Sequence, residues 1–267
     1  PAASVIKAGT SEEADYASLP TALDKAEDGD TVKLLADHTT DWDAVDAGEE
    51  SAAAVKTKIT LDLNGFAVDY LVVGEVVPDE EGGILDSTAG DLTVVDSGLG
   101  SVGKLPFLEL AKGRLTIEGG EIGTAGNTSS FRCSDENGEV NIKGGVVWFF
   151  GCEGGTANVT GGTVYSLSVN QMGEVKAVVT VSGGTSHGGR NDGGVYDSSY
   201  WGVSSGELNI TGGMFGKVSF DYSGGNIAIS GGTFESISNR NNIRIPVMSL
   251  LADGHAFYGK DADGKYT

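Results

Sequence analysis

A short apolar–polar–apolar pattern closed by Gly-Gly recurs through this chain, and few folds can use it. It reads GRLTIEGG at 113–120, GEVNIKGG at 138–145, GTANVTGG at 155–162, AVVTVSGG at 177–184, GELNITGG at 206–213 and GNIAISGG at 225–232. An imperfect earlier copy, GDLTVVDSG, occupies 90–98. Alternation with a period of two is the signature of a strand with one buried face. The inward pairs are then Leu115 and Ile117, Val140 and Ile142, Ala157 and Val159, Val179 and Val181, Leu208 and Ile210, and Ile227 and Ile229. Thr116, Asn141, Asn158, Thr180, Asn209 and Ala228 sit between them and face outward. Beyond the glycines a second apolar slot returns as Ile122, Val147, Val164, Phe215 and Phe234.

A strand, a Gly-Gly corner and another strand in roughly 20 residues make the unit of a β-solenoid. The corner needs backbone angles that a Cβ forbids, and stacked corners bring neighbouring backbones close. Successive copies begin 23, 25, 17, 22, 29 and 19 residues apart, a variation that stacked coils release as loops. Propeller blades need ~40–45 residues each. Glycine fills 43 of 267 positions without a three-residue period, beside 39 % hydrophobic residues, which excludes collagen and a disordered linker. The expected fold is all-β: a right-handed parallel β-helix, a single-stranded solenoid with a short N-terminal capping helix, in one domain over 1–267.

Within it, 1–58 is read as the N-terminal cap and first rung, 59–234 as repeat rungs and 235–267 as the C-terminal cap. Ser18 is a candidate N-cap, Pro20 suits a first helical turn, and Leu19, Ala22, Leu23 and Ala26 share one face over 18–27. GDTVKLL at 29–35 starts a strand, ITLDLNG at 59–65 forms a rung, and 36–58 is a loop or an extra helical turn. The stretch 243–258 is apolar without the repeat and closes the far end. The chain begins at Pro1 without a Met, as expected of a mature or excised fragment.

The formal charge of −21 argues against nucleic acid and anionic membrane surfaces as partners. No apolar run approaches the ~18 residues that span a bilayer, so no membrane insertion is expected. No cofactor is expected beyond weak, distributed binding of Ca²⁺. DADG at 261–264 resembles the start of a calcium loop but lacks its glutamate. Cys133 and Cys152 lie 19 residues apart, about one coil, so they stack on neighbouring rungs as a disulfide or as an unoxidised buried pair.

The order of a short helix, GDTVKLL, ITLDLNG, LTVVDSG, repeated LTIEGG or LNITGG with GGTF, and a closing LLADGHAFY resembles a family of large bacterial cell-surface proteins. These carry right-handed β-helix domains of the pectate-lyase-like superfold and are common in Gram-positive gut bacteria. The resemblance covers about Tyr16 to Tyr258, and its motifs are structural. It implies an extracellular stalk or adhesin that binds glycans or host or bacterial surface proteins. The superfold also includes polysaccharide lyases and hydrolases, so an enzyme acting on an acidic polysaccharide is the alternative. Self-association through weakly capped ends is a third expectation.

One coil breaks the pattern. After Gly183-Gly184 the inward slot is Ser186, and the chain continues through His187, Arg190, Asp192, Tyr196, Asp197, Tyr200 and Trp201. Aromatic rings beside carboxylates on a loop suit a carbohydrate platform, rings against sugar faces and carboxylates to hydroxyls. The bland alternative is a long solvated loop. Asp192 and Asp197 match a glycosidase pair, and Arg190 or His187 a lyase base, by residue type only. No residue is therefore assigned a catalytic role, and no metal ligands are assigned. In Trp148-Phe149-Phe150, alternate members are expected to fill the core, and an exposed Trp148 near Tyr165 would extend a binding surface.

Overall fold

A computed structural model describes residues 1–48, 52–79, 84–125, 127, 130–171, 175–186, 190–191, 194–195, 199–239 and 247–256. The chain is all-β, and most strands join one large, mostly parallel sheet. Parallel pairing runs in three ladders that the chain visits in turn. The first holds the repeated pattern, from Thr31–Leu34 and Lys58–Asp62 through Gly90–Val95, Gly113–Ile117, Glu139–Ile142, Thr156–Val159 and Val178–Val181. The long strands Glu207–Tyr222 and Asn226–Asn239 complete it. Register is kept from strand to strand, with Leu115 beside Val140, Val140 beside Ala157 and Ala157 beside Val179.

The second ladder follows the corner and contains Lys104–Leu105, Glu121–Ile122, the starts of Val146–Cys152 and Thr163–Val169, and Thr185–Ser186. A third ladder is not announced by the repeat. It comprises Ala54–Val55, Tyr70–Val73, Phe107–Leu110, Phe131–Cys133, the ends of Val146–Cys152 and Thr163–Val169, and Ser199–Val203. Its strands pair one coil to the next. Each full coil therefore carries three strands where the sequence pattern shows two. The third escaped notice because its inward residues, such as Leu71, Phe131, Leu167 and Trp201, share no motif.

Every inward pair of the repeat is buried, and the inward residues of all three ladders form one hydrophobic cluster. The two corner glycines answer different needs. A Cβ on Gly161 would collide with the Lys143 carbonyl of the neighbouring coil, whereas Gly162 holds φ at +73°. The first is a matter of space; the second is a matter of backbone angle and of space, since its Cβ would lie 2.6 Å from the Gly144 carbonyl. Lys143 pairs with Glu118 at 3.2 Å, and Arg114 with Glu139 at 2.9 Å, each across one coil spacing. Such exposed pairs contribute ~0–1 kcal/mol, enough to favour register rather than to hold the fold.

The N-terminal helix spans Leu19–Lys25, capped by Ser18, whose Oγ accepts from the Thr21 amide at 3.3 Å. Leu19, Ala22 and Leu23 enter the core. Ahead of it, Ala3–Ile6 pairs antiparallel with both Glu13–Tyr16 and Thr31–Leu34, ending the first ladder. The outermost strand carries exposed Glu13 and Asp15, charges that discourage further edge pairing. Asp30 locks this end. Its buried carboxylate accepts from Lys7 Nζ at 2.8 Å and from the amides of Ala8 and Glu27 at 2.9 Å each. Within 36–58, a helical turn at Trp42–Asp46 and the strand Ala54–Val55 appear. At the far end, Val247–Leu250 forms a 3-10 turn, Leu250 is buried, and Leu251 bridges to Ile229.

Candidate functional site

Outward residues of the third ladder form a trough. Two adjoining hollows open on this flank. One, of about 200 Å³, is lined by Tyr70, Phe107, Leu108, Glu109, Ser130 and Arg132. The other, of about 290 Å³, is lined by Arg132, Phe149, Gly151, Glu153, Ser168, Asn170 and Tyr200. Arg132 belongs to both, so the hollows share a wall. Together they cross six successive strands of the ladder, or about 24 Å at ~4.8 Å per step.

Alternation sets which side chains face the trough. Leu108 and Leu110 point inward, leaving Phe107 and Glu109 outside. Phe131 and Cys133 point inward and leave Arg132 outside. In Ser199–Val203, Trp201 and Val203 are buried and Tyr200 is half-buried. Phe107 is 39 % exposed and Phe149 8 %. Trp42, from the turn before the trough, meets Tyr70 edge-on at 5.0 Å and extends its aromatic end.

Two outward glycines lie under rings, and the second makes room for one. A Cβ on Gly151 would lie 3.6 Å from Cε1 of Phe149, and one on Gly202 would lie 3.0 Å from the Tyr200 hydroxyl and 3.3 Å from its ring. Each ring leans along its own strand over the glycine two positions on. The Tyr200 hydroxyl donates to Oδ2 of Asp221 at 3.0 Å, which fixes the lean.

The polar groups are held by neighbours. Arg132 Nη2 donates to Glu109 Oε2 at 3.1 Å, while Ser134 Oγ donates to Glu109 Oε1 at 2.8 Å. The bond to Glu109 raises the guanidinium pKa above its ordinary value. Burial, and then the negative charge of Glu109, push the Tyr70 phenol up. Asn170 Oδ1 accepts from Ser204 Oγ at 2.6 Å. The arrangement offers flat apolar rings with hydrogen-bonding groups between them. Among the described residues, no cluster of three or more His, Cys, Asp or Glu is placed to hold a metal ion.

Of the residues singled out from sequence, Tyr200 joins the trough. Trp201 is corrected: it is 1 % exposed and packs in the core, 5.3 Å and edge-on to Phe215. It faces inward because it immediately follows outward Tyr200 on a strand. The buried Ser186 stands beside Phe215 in register, so the large indole fills volume near the small side chain of the same coil. The lost apolar slot is thus answered within the core. Arg190–Asn191 pairs antiparallel with Gly194–Val195 as a small ribbon. The Arg190 side chain, and His187, Asp192, Tyr196 and Asp197, lie outside the described residues.

Cys133 and Cys152 are register partners on adjacent strands, as their spacing suggested. Both are buried free thiols facing the Gly154 carbonyl, at 3.5 and 3.3 Å. Burial pushes Cys152 up to about 12 and Cys133 higher still, so neither is a nucleophile at neutral pH. Phe150 fills the core, and Trp148 stacks on Tyr165 at 4.5 Å on a neighbouring face, its indole N–H bonded to Glu121 at 2.6 Å. Neither Trp148 nor Tyr165 lines the two hollows.

Sequence reasoning missed Tyr70, Phe107, Glu109, Arg132, Glu153, Ser168 and Asn170. The available signal was a period-two run in FLEL and FRC, segments too short to stand out without knowledge of the third ladder. Compared with protein-family models, curated proteins and solved structures, the chain has no match.

Proposed function

We propose that this chain is a right-handed parallel β-helix module of an extracellular bacterial surface protein, an adhesin or stalk unit that binds a glycan in the third-ladder trough. Parallel strands of one sheet joined by crossovers adopt the right-handed connection almost without exception. The pectate-lyase-like stacking and the extracellular placement rest on the motif resemblance described above. The glycan reading rests on one observation: the aromatic rings of Tyr70, Phe107, Phe149 and Tyr200 share one outer flank with Arg132, Glu153 and Asn170. Rings meet the C–H faces of sugars, and the few polar groups meet their hydroxyls.

The test is a screen of the whole chain against immobilised mucin glycans, plant polysaccharides and matrix proteins, repeated with Phe149→Ala and Tyr200→Ala. Glycan binding that both variants weaken supports the reading. Binding to matrix proteins alone, or to nothing, removes it.

A further inference from the structure

Resting on that glycan reading, we propose that the trough takes an uncharged polysaccharide laid along the ladder axis and shuts out uronate or sulfated chains. The first support is a period. Phe107 is the register partner of Tyr70, Phe149 of Ser166, and Tyr200 of Ser219. Counting back from Arg132 beside Gly151 sets Ser130 beside Phe149, and from Leu167 beside Trp201 sets Ser166 beside Tyr200. After the adjacent ring pair Tyr70 and Phe107, the outward row reads Ser130, Phe149, Ser166, Tyr200, Ser219, an alternation of ring and serine in which Ser130 is fully buried.

From Phe107 onward, rings recur every second strand, or ~9.6 Å at ~4.8 Å per strand. That is the length of about two linked pyranose units. A flat chain whose alternate units present the same face would set every second unit on a ring, and the small serines between, Ser130 fully buried among them, leave room for the unit between. The row runs along the ladder, so the polymer axis does too.

The second support is charge. Arg132 is the one cation lining the hollows among the described residues, and Glu109 already holds it at 3.1 Å. Against this single positive charge stand Glu109, Glu153 and, bonded to Tyr200, Asp221. One positive and three negative groups leave the trough at −2, on a chain whose formal charge is −21. A polyanion would enter against that field and would have to displace Glu109 from Arg132. Hydroxyl groups carry no such cost, since they donate to Glu153 and accept from Asn170.

The experiment is calorimetric titration of the intact chain with neutral gluco-, manno- and xylo-oligosaccharides of increasing length, and with polygalacturonate and heparin at two salt concentrations. Affinity for a neutral series is expected to rise with length until the trough is spanned. Phe149→Ala and Tyr200→Ala should each weaken it about tenfold, the equivalent of ~1.4 kcal/mol for a lost ring contact. Acidic polymers should bind at least about tenfold more weakly at low salt, and less so as salt screens the field. Glu109→Gln, which releases Arg132, should narrow that difference, with circular dichroism confirming that each variant is folded. Acidic polymers that bind more tightly than neutral ones, through the same two rings, would overturn the charge selection while leaving the glycan site standing. Neutral binding untouched by either ring variant would overturn the period argument, and no glycan binding at all would remove the reading beneath both.

Discussion

One of the least conspicuous residues on the flank, Gly202, decides how its aromatic surface is shaped. It turns no corner; it leaves the space into which the Tyr200 ring leans. Gly202→Ala places a methyl group 3.0 Å from the Tyr200 hydroxyl and 3.3 Å from its ring, tight enough that the ring must give way slightly. The expected outcome is a shifted Tyr200, a strained bond to Asp221, and glycan affinity reduced, though by less than removing the ring would reduce it. The melting temperature should change little, because alanine in place of glycine also stiffens the unfolded chain, worth ~0.4–1 kcal/mol. Titration and thermal melting of the one variant check both halves. This level was the least legible in the sequence. A glycine in a strand and an arginine in FRC are common residue types, and only register brings Arg132 to Glu109 and Phe149 to Ser166. Trp201 shows the same limit from the other side. Its neighbours in sequence are polar and aromatic, yet its place after Tyr200 on a strand sends it into the core.

At the scale of elements, the first and second ladders could be read from the chain because each coil repeats one motif, whereas the third repeats a geometry without repeating residues. The N-terminal cap was legible as a helix but not as a junction. The two antiparallel strands before it depend on Asp30, which sits 23 residues from Lys7. Burial by itself raises the Asp30 pKa, but the Lys7 ammonium and the amides of Glu27 and Ala8 outweigh it and hold the carboxyl below its ordinary value. A carboxyl depressed in the folded state stabilises at pH above its unfolded value of ~3.9, and that stability is lost as pH falls through the folded value. Asp30→Ala leaves the two amides without their acceptor and the Lys7 ammonium with Glu27 alone, at a cost of about 1–3 kcal/mol at neutral pH. Urea midpoints of the native chain and the variant should differ clearly at pH 7 and converge toward pH 3. Equal gaps at both pH values would show that the carboxylate does not anchor this end.

For the whole molecule, charge and stacking pull in opposite directions. Ion pairs across coils favour register, but 38 carboxylates against 17 Lys and Arg leave a surplus that repels itself in the compact state. Raising salt from low to moderate concentration screens that surplus within ~8–10 Å. The melting temperature should therefore rise by a few degrees, where a chain held chiefly by its ion-pair ladders would melt lower. The sequence by itself determined that strands alternate, that Gly-Gly corners close them, which residues of the first two ladders are buried, and that the surface is anionic. These are local consequences of period, of glycine backbone and space, and of summed charge, and they need no partner from elsewhere in the chain. Only the tertiary structure decided the third ladder, the inward turn of Trp201 and the trough itself. Each of those depends on which residue lies one coil away, a distance of 17 to 29 residues along the repeats that is fixed by loop length and register and not by any local preference.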